Sequence, residues 1–291
     1  MQKILADPQT YPLFSSNADN ATVIFTGSDP YRNNFADTNE GDFTSSGRKL
    51  TQQLIKMMVV PENEKQVYQD PRLAIIGKKN PSVTSNPANI WIGTVAGVSV
   101  EKQNQADKGT SWLNAAVFCR PDASGYFLEY SELQFILAEA ALKGLIAGGE
   151  ATAKNYYEAA VRASLQKWAP LGAYSATPVT ISDEDIALFL TSDLAAWDKH
   201  ENKEELIANQ KFLSLFWIGM EAYHEYRRTG YPVLTIGDGA IYNDFILPTR
   251  FAYSTTTMAT NNAHANEAIQ RMGGSNDMKM PVWWSKQAID R

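Results

Sequence analysis

One cysteine, Cys119, is present in 291 residues, so no intrachain disulfide can form and no cysteine-based zinc site can be assembled. The three histidines, His200, His224 and His264, stand alone, with no pair four apart on a helix, which leaves out the helix-borne zinc motif. Basic residues are also scarce. Lys and Arg number 26 against 32 Asp and Glu, a net charge of −6 with no basic run; binding a phosphate backbone needs a basic face, so nucleic acid is not an expected partner. Long apolar runs are missing too. The most apolar window, Phe212 to Met220, is broken by Ser214 and followed at once by Glu221, well short of the about 20 apolar residues of a membrane span. Ile4 to Ala6 is far too short for a signal-peptide core.

Catalytic motifs are equally thin. There is no Gly-x-Ser-x-Gly elbow, Gly77-Lys78 lacks the upstream glycine of a phosphate loop, and Gly237-Asp238-Gly239 lacks a third glycine and reads as a turn. Cys119 follows the apolar stretch Ala115 to Phe118, a setting that raises a thiol's pKa and keeps it inert. Glu132 and Glu139 share a helix face, but the leucines beside them make them the edge of a packing stripe rather than a catalytic pair. His224 reads as a core or rim residue of its helix. No catalytic residue, metal site or cofactor is expected.

What is there is material for a large core. Hydrophobic residues make up 44% and charged residues 20%, the usage of an ordinary globular protein. Aromatics reach 11%, with seven tryptophans, more rings than the helices obviously absorb. Residues 1–124 are loop-rich, punctuated by turn formers such as Ser28-Asp29-Pro30 and Asn86-Pro87. Short strands or buried extended pieces are expected at Val23 to Phe25 and Ala74 to Gly77, and one helix over Arg48 to Val59, stopped by Pro61. Residues 125–291 change to helical spacing. Ser131 to Lys143 carries Leu133, Ile136, Leu137, Ala140 and Ala141 on one stripe and ends at Gly144; Ala151 to Trp168 carries Tyr156, Ala159, Ala160 and Ala163 on one face. A plain helical hairpin and a tetratricopeptide-type pair both fit that spacing. A short helix opens at Ser182 and runs through Leu190, one long helix is predicted over Asn202 to Arg228, and the tail from Ile241 returns to loops. The fold class is mainly α, with tetratricopeptide-like helices and a large loop-rich region. Tyr31, Phe35, Phe43, Trp91, Trp112 and Tyr126 fall outside the clear helices, where they either pack under loops or offer flat faces to a sugar or a protein partner.

Several blocks resemble one family. Tyr130 to Ala140, Tyr156 to Ser164, Asn209 to Leu213, Glu221 to Pro232 with its Arg-Arg-Thr-Gly-Tyr-Pro core, Leu247 to Tyr253 and the closing Val282-Trp283-Trp284 are similar to SusD/RagB proteins of Bacteroidetes. Asp70-Pro-Arg-Leu73 and Trp91-Ile-Gly93 fit the same pattern, in the family's order from Tyr11-Pro-Leu-Phe14 onward. The resemblance implies a non-enzymatic, surface-exposed outer-membrane lipoprotein that captures a glycan or oligosaccharide and delivers it to a SusC-like TonB-dependent transporter. Peptide capture, as in the RagB branch, and a helical interaction module without small ligand stay open. It also implies that the tetratricopeptide-like helices face the transporter and the loop-rich part carries the ligand. Family members begin with a lipoprotein signal and a long helical segment, so Met1 enters in what resembles the middle of the pattern, and a chain short of early repeats and of its lipid anchor is expected. No family motif transfers a ligand site. The ligand-binding candidates are Trp91, Trp112 and Tyr31, as large rings in expected loops.

Overall fold

Two packed helices, Tyr130–Leu142 and Gly149–Trp168, form the centre of the molecule. The computed structural model describes residues 1–45, 48–62, 65–80, 90–106, 109–175 and 177–285; the turn expected at Asn86-Pro87 lies outside them. Gly144 ends the Tyr130 helix in the left-handed region, at φ 68°, which lets its N–H reach Ala141 O at 3.1 Å and the Leu145 N–H reach Ala140 O at 2.8 Å. Both orphan carbonyls are thereby satisfied, and the short connection turns the chain back on itself. Ala138 and Ala141 on one helix and Ala153 and Ala160 on the other are buried, so the backbones approach closely, and Phe135, Tyr157 and Trp197 fill the space beside them. The Lys203–Ser214 helix covers the other side of the Tyr130 helix. Being covered on two sides is why Ser131, Glu132 and Gln134 are buried along with Phe135 and Leu137.

The single helix expected over Asn202 to Arg228 is two. Lys203–Ser214 stops at a turn in which Trp217 has φ 69° and Gly219 φ 47°, and Glu221–Thr229 follows. Gly219 is the residue that makes the break cheap. The break redirects the second helix so that Glu225 meets Lys211 at 3.0 Å and Arg228 meets Glu139 at 2.6 Å. It also leaves His224 exposed, which rules out the core half of its core-or-rim reading. Ser182 caps Asp183–Thr191 through a reciprocal box with Asp185. The tail is not all loop: Ser254 caps Thr255–Thr260, and Asn262–Arg271 buries Ala265 and Ile269, four residues apart on one face.

In the loop-rich part, three small antiparallel pairs replace any large sheet: Ala21–Val23 with Gly125–Leu128, Val59–Glu62 with Lys65–Gln69, and Gly77–Lys78 with Trp112–Leu113. The strand or buried extended piece expected at Ala74 to Gly77 is a turn of helix, Leu73–Ile76, with Gly77 opening the strand; burial of Leu73, Ile75 and Ile76 suits either shape. The expected Arg48 helix begins at Gln52, because Thr51 caps it by accepting from Leu54 N. These pieces share a second core, around Phe43, Leu50, Met58, Ile76 and Phe118, into which Trp168 and Leu213 project from the helical layer. Gly237 and Gly239 lie so close to Gly97 and Val98 that an added Cβ would sit 2.7 Å from Gly97 O or 2.4 Å from Val98 O, respectively. Asparagines and a glutamine fasten the leading segment: Asn20 Oδ1 accepts from Tyr130 N at 2.7 Å, Asn17 Nδ2 donates to Ala163 O at 2.9 Å, and Gln2 Oε1 accepts from Ala147 N at 2.9 Å. Among the described residues no helix is long and apolar enough to cross a membrane.

Candidate functional site

A cleft of about 440 Å³ is lined by segments far apart in sequence: Val23 and Phe25 beside the first strand, residues 117–127, Lys167 and Trp168 at the end of the Gly149 helix, and the 216–221 turn. Aromatic rings dominate its wall. The Phe118 ring lies 4.5 Å from that of Trp217, 6.1 Å from Phe216 and 6.2 Å from Trp168, all between centroids. Phe118 and Trp168 are buried, whereas Phe127 is 69% and Trp217 40% exposed, so two apolar rings stand open over a rigid aromatic backing. Trp217 adopts the left-handed backbone that a bulky residue rarely takes, and the ring it carries is the one at the cleft.

The polar groups are few and mostly committed. Lys167 donates to both oxygens of Glu129, at 2.7 and 3.0 Å, and to Ser214 O at 3.1 Å, which uses all three ammonium hydrogens. Burial pushes its pKa down, while Glu129 pulls it back toward the charged form. Arg120 pairs with Asp122 at 2.8 Å, and its guanidinium stacks 3.8 Å from the Tyr174 ring centroid. That hydrogen bond holds the Asp122 carboxyl below its ordinary range. Other lining groups are left without a hydrogen bond among the described residues, the Ser124 and Tyr126 hydroxyls included. The buried Trp168 indole N–H has no acceptor, and the Glu221 carboxylate has neither a hydrogen bond nor an ion pair.

A second hollow, of about 310 Å³ around Thr38, Asn114 and Cys119, is crossed by the Lys78–Glu40 ion pair and has no ring in its lining. Burial raises the Cys119 thiol there, against a small pull from Arg48, in line with an inert cysteine. Among the described residues no three His, Cys, Asp or Glu side chains gather as metal ligands would.

Residues 1–254 match the SusD-like family model described as starch-binding and associating with the outer membrane. The chain belongs to the SusD-like family. It is similar to a SusD homologue of Bacteroides fragilis NCTC 9343 at 28% identity and TM-score 0.76, over 97% of this chain and 60% of that one. A SusD homologue of Parabacteroides distasonis ATCC 8503 shares the fold at 22% identity and TM-score 0.71, over 97% and 60%. So does a chitin-binding SusD homologue of Flavobacterium johnsoniae, at 21% identity and TM-score 0.64, over 96% and 57%. The SusD-like chain therefore spans about 60% of the length of these solved relatives. No curated protein matches it.

None of the three rings singled out from the SusD-like sequence lines the cleft. Trp91 is 6% exposed: Gln66 clamps its backbone at 2.7 and 2.8 Å, its indole N–H donates to Gln69 Oε1 at 2.8 Å, and its ring is part of the second core. Its faces are taken by packing, so the structure places it in the second core and away from the cleft. Trp112 is half-buried in the short pairing with Lys78. Tyr31 is 67% exposed on a tight turn closed by its N–H to Ser28 O at 2.8 Å. Of the other loop rings, Phe43 is buried and Tyr126 lines the cleft. Phe216 and Trp217 went unnoticed because the expected long helix accounted for them, and Phe127, just before the first helix of the pair, was not singled out. The one available signal was Gly219 inside the expected helix, which marks a turn beside Phe216 and Trp217.

Proposed function

We propose that this SusD-like chain captures glycan at the outer-membrane surface in the Trp217–Phe127 cleft and passes it to a SusC-like TonB-dependent transporter. The observation that carries the proposal is the pair of exposed rings, Phe127 and Trp217, over buried aromatic backing in a cleft of about 440 Å³. Such rings supply flat apolar faces that sugar rings stack on at little entropic cost, and pockets of this size suit small ligands. The family description as starch-binding supports the ligand class, as does chitin binding by the Flavobacterium johnsoniae relative. The role is binding without turnover. Glycoside hydrolysis needs a carboxylic acid that stays protonated near neutral pH, and Asp122, held by Arg120, is shifted the other way. Tyr31 and Trp112 are proposed as outlying contacts for a longer glycan.

Calorimetric titration with starch- and chitin-derived oligosaccharides tests this. Binding that Trp217→Ala weakens at least tenfold supports the cleft; failure of every saccharide to bind the folded protein rules the proposal out. Co-purification with a SusC-like transporter tests the delivery step.

A further inference from the structure

We propose that the cleft selects uncharged saccharides and turns away those bearing carboxylates, an inference that rests on glycan binding in this cleft. The charges decide it. Lys167 and Arg120 are the cations in the lining, and each is already matched, by Glu129 and Asp122 respectively. A ligand carboxylate finds no unmatched cation there: Arg120 is already neutralised by Asp122, and displacing Glu129 would open a buried pair, with Glu129 at 0% and Lys167 at 5% side-chain exposure. Breaking a buried pair strands a charge, so the exchange is unfavourable. Glu221 adds a carboxylate with no hydrogen bond or ion pair among the described residues, and, after burial as the main cause, its charge helps hold the neighbouring Glu132 carboxyl above its ordinary range. Two neutralised cations and a free acid make the cleft negative.

The same inventory favours a neutral polyol. The Glu221 carboxylate lacks a donor among the described residues, whereas the unpartnered Trp168 indole N–H is enclosed and out of a ligand's reach. A sugar hydroxyl donates as well as accepts, so a neutral ring hydrogen-bonds the open Glu221 carboxylate while its C–H face lies on Trp217 or Phe127. A uronate stacks on the same rings but sets its carboxylate against Glu221, where low dielectric strengthens the repulsion. A neutral sugar thus meets the open acid with a donor, and an acidic one meets it with a repulsion.

The test is titration of the folded chain with neutral hexose oligomers and with hexuronate oligomers of equal length and linkage at low ionic strength. The neutral oligomer is expected to bind at least tenfold more tightly. Glu221→Gln keeps the size and the acceptor oxygen but removes the charge; it should narrow that ratio at least threefold, chiefly by improving the uronate, with an unchanged melting temperature showing that the fold is intact. Glu221→Lys should invert the preference. Equal or tighter uronate binding by the wild type, or a ratio that Glu221→Gln leaves unchanged, overturns the inference while glycan binding stands. If neither class binds, glycan capture falls and the selectivity falls with it.

Discussion

Lys167 and Glu129 form a buried ion pair behind the cleft, with Nζ 2.7 Å from Oε1 and 3.0 Å from Oε2. The ammonium also lies 5.3 Å from the Tyr126 ring centroid and 5.0 Å from that of Trp168, so the pair ties the strand-borne cleft wall to the helical layer. Removing one partner leaves the other charge buried. Lys167→Met is expected to cost about 3–5 kcal/mol in urea unfolding, and adding Glu129→Gln should recover most of the loss. A double variant no more stable than the single one would contradict this account.

Arg72 is a second cross-link and lies wholly inside. Its Nη2 reaches Asp70 Oδ2 at 2.6 Å and Gln210 Oε1 at 2.8 Å, and Nη1 reaches Ser164 Oγ at 3.0 Å. One guanidinium thereby joins the loop-rich part to two helices. Lys keeps the charge but not the fork. Arg72→Lys should therefore still lower stability by about 2–4 kcal/mol, read from thermal or urea melts, since two buried acceptors lose their donors.

The Glu139 carboxyl shows how the protein should respond to acid. Burial pushes it up, but hydrogen bonds from Arg228 and Lys143 outweigh burial and bring it from 4.5 down to about 2. Glu225 is also lowered, burial again being outweighed by Arg228 and Lys211. A carboxyl that takes its proton at lower pH folded than unfolded stabilises fully above the unfolded value and loses that contribution as pH falls through the folded one. Stability should be flat from pH 7 to about 5 and fall between about 4.5 and 2, with Glu139 accounting for on the order of 2 kcal/mol after solvent screening is discounted. Arg228→Gln should flatten this acid limb; an unaltered limb would place the sensitivity elsewhere.

Two tryptophans should separate binding from stability. Trp217→Ala removes a 40% exposed ring and is expected to weaken glycan binding at least tenfold while stability changes by less than about 1.5 kcal/mol. Trp91→Ala opens a hole in the core and should cost about 3–5 kcal/mol, with near-normal glycan affinity in whatever fraction stays folded. Calorimetry alongside thermal melts on both variants reads the two effects, and the reverse assignment would exchange their roles.

Local signals carried the helix pair and its caps. Gly144 and Ser182 act where their residue types suggested, and Ala140, Ala141, Ala160 and Ala163 are buried as their spacing implied, whereas Tyr156 and Ala159 of the expected face are half-buried and the neighbouring Tyr157 is wholly buried. The broken helix was hidden because Leu206, Gln210, Leu213, Trp217 and Met220 keep helical spacing straight through the turn; only Gly219 disagrees. Asn262–Arg271 was hidden for the opposite reason, since its apolar face is two residues wide in a Thr- and Asn-rich stretch. The cleft was not legible at all. Its rings come from strand, turn and helix end, brought together by the second core rather than by any run in the sequence. A large ring in a loop proved a poor guide: Trp91 went inside, and Trp217, read as helical, stands at the opening.

The hydrogen bonds that fasten the leading segment impose an order of assembly. The helix pair closes through a short connection, whereas Asn20, Gln2 and Asn17 find their partners 110, 145 and 146 residues along the chain. Loop closure over such separations is slower than forming a local hairpin, so the pair forms first and serves as the template on which the leading segment docks. During synthesis that segment is made before its template exists, and Ile4 and Leu13, still partly exposed in the finished protein, wait in solvent until Ala163 and its helix have emerged.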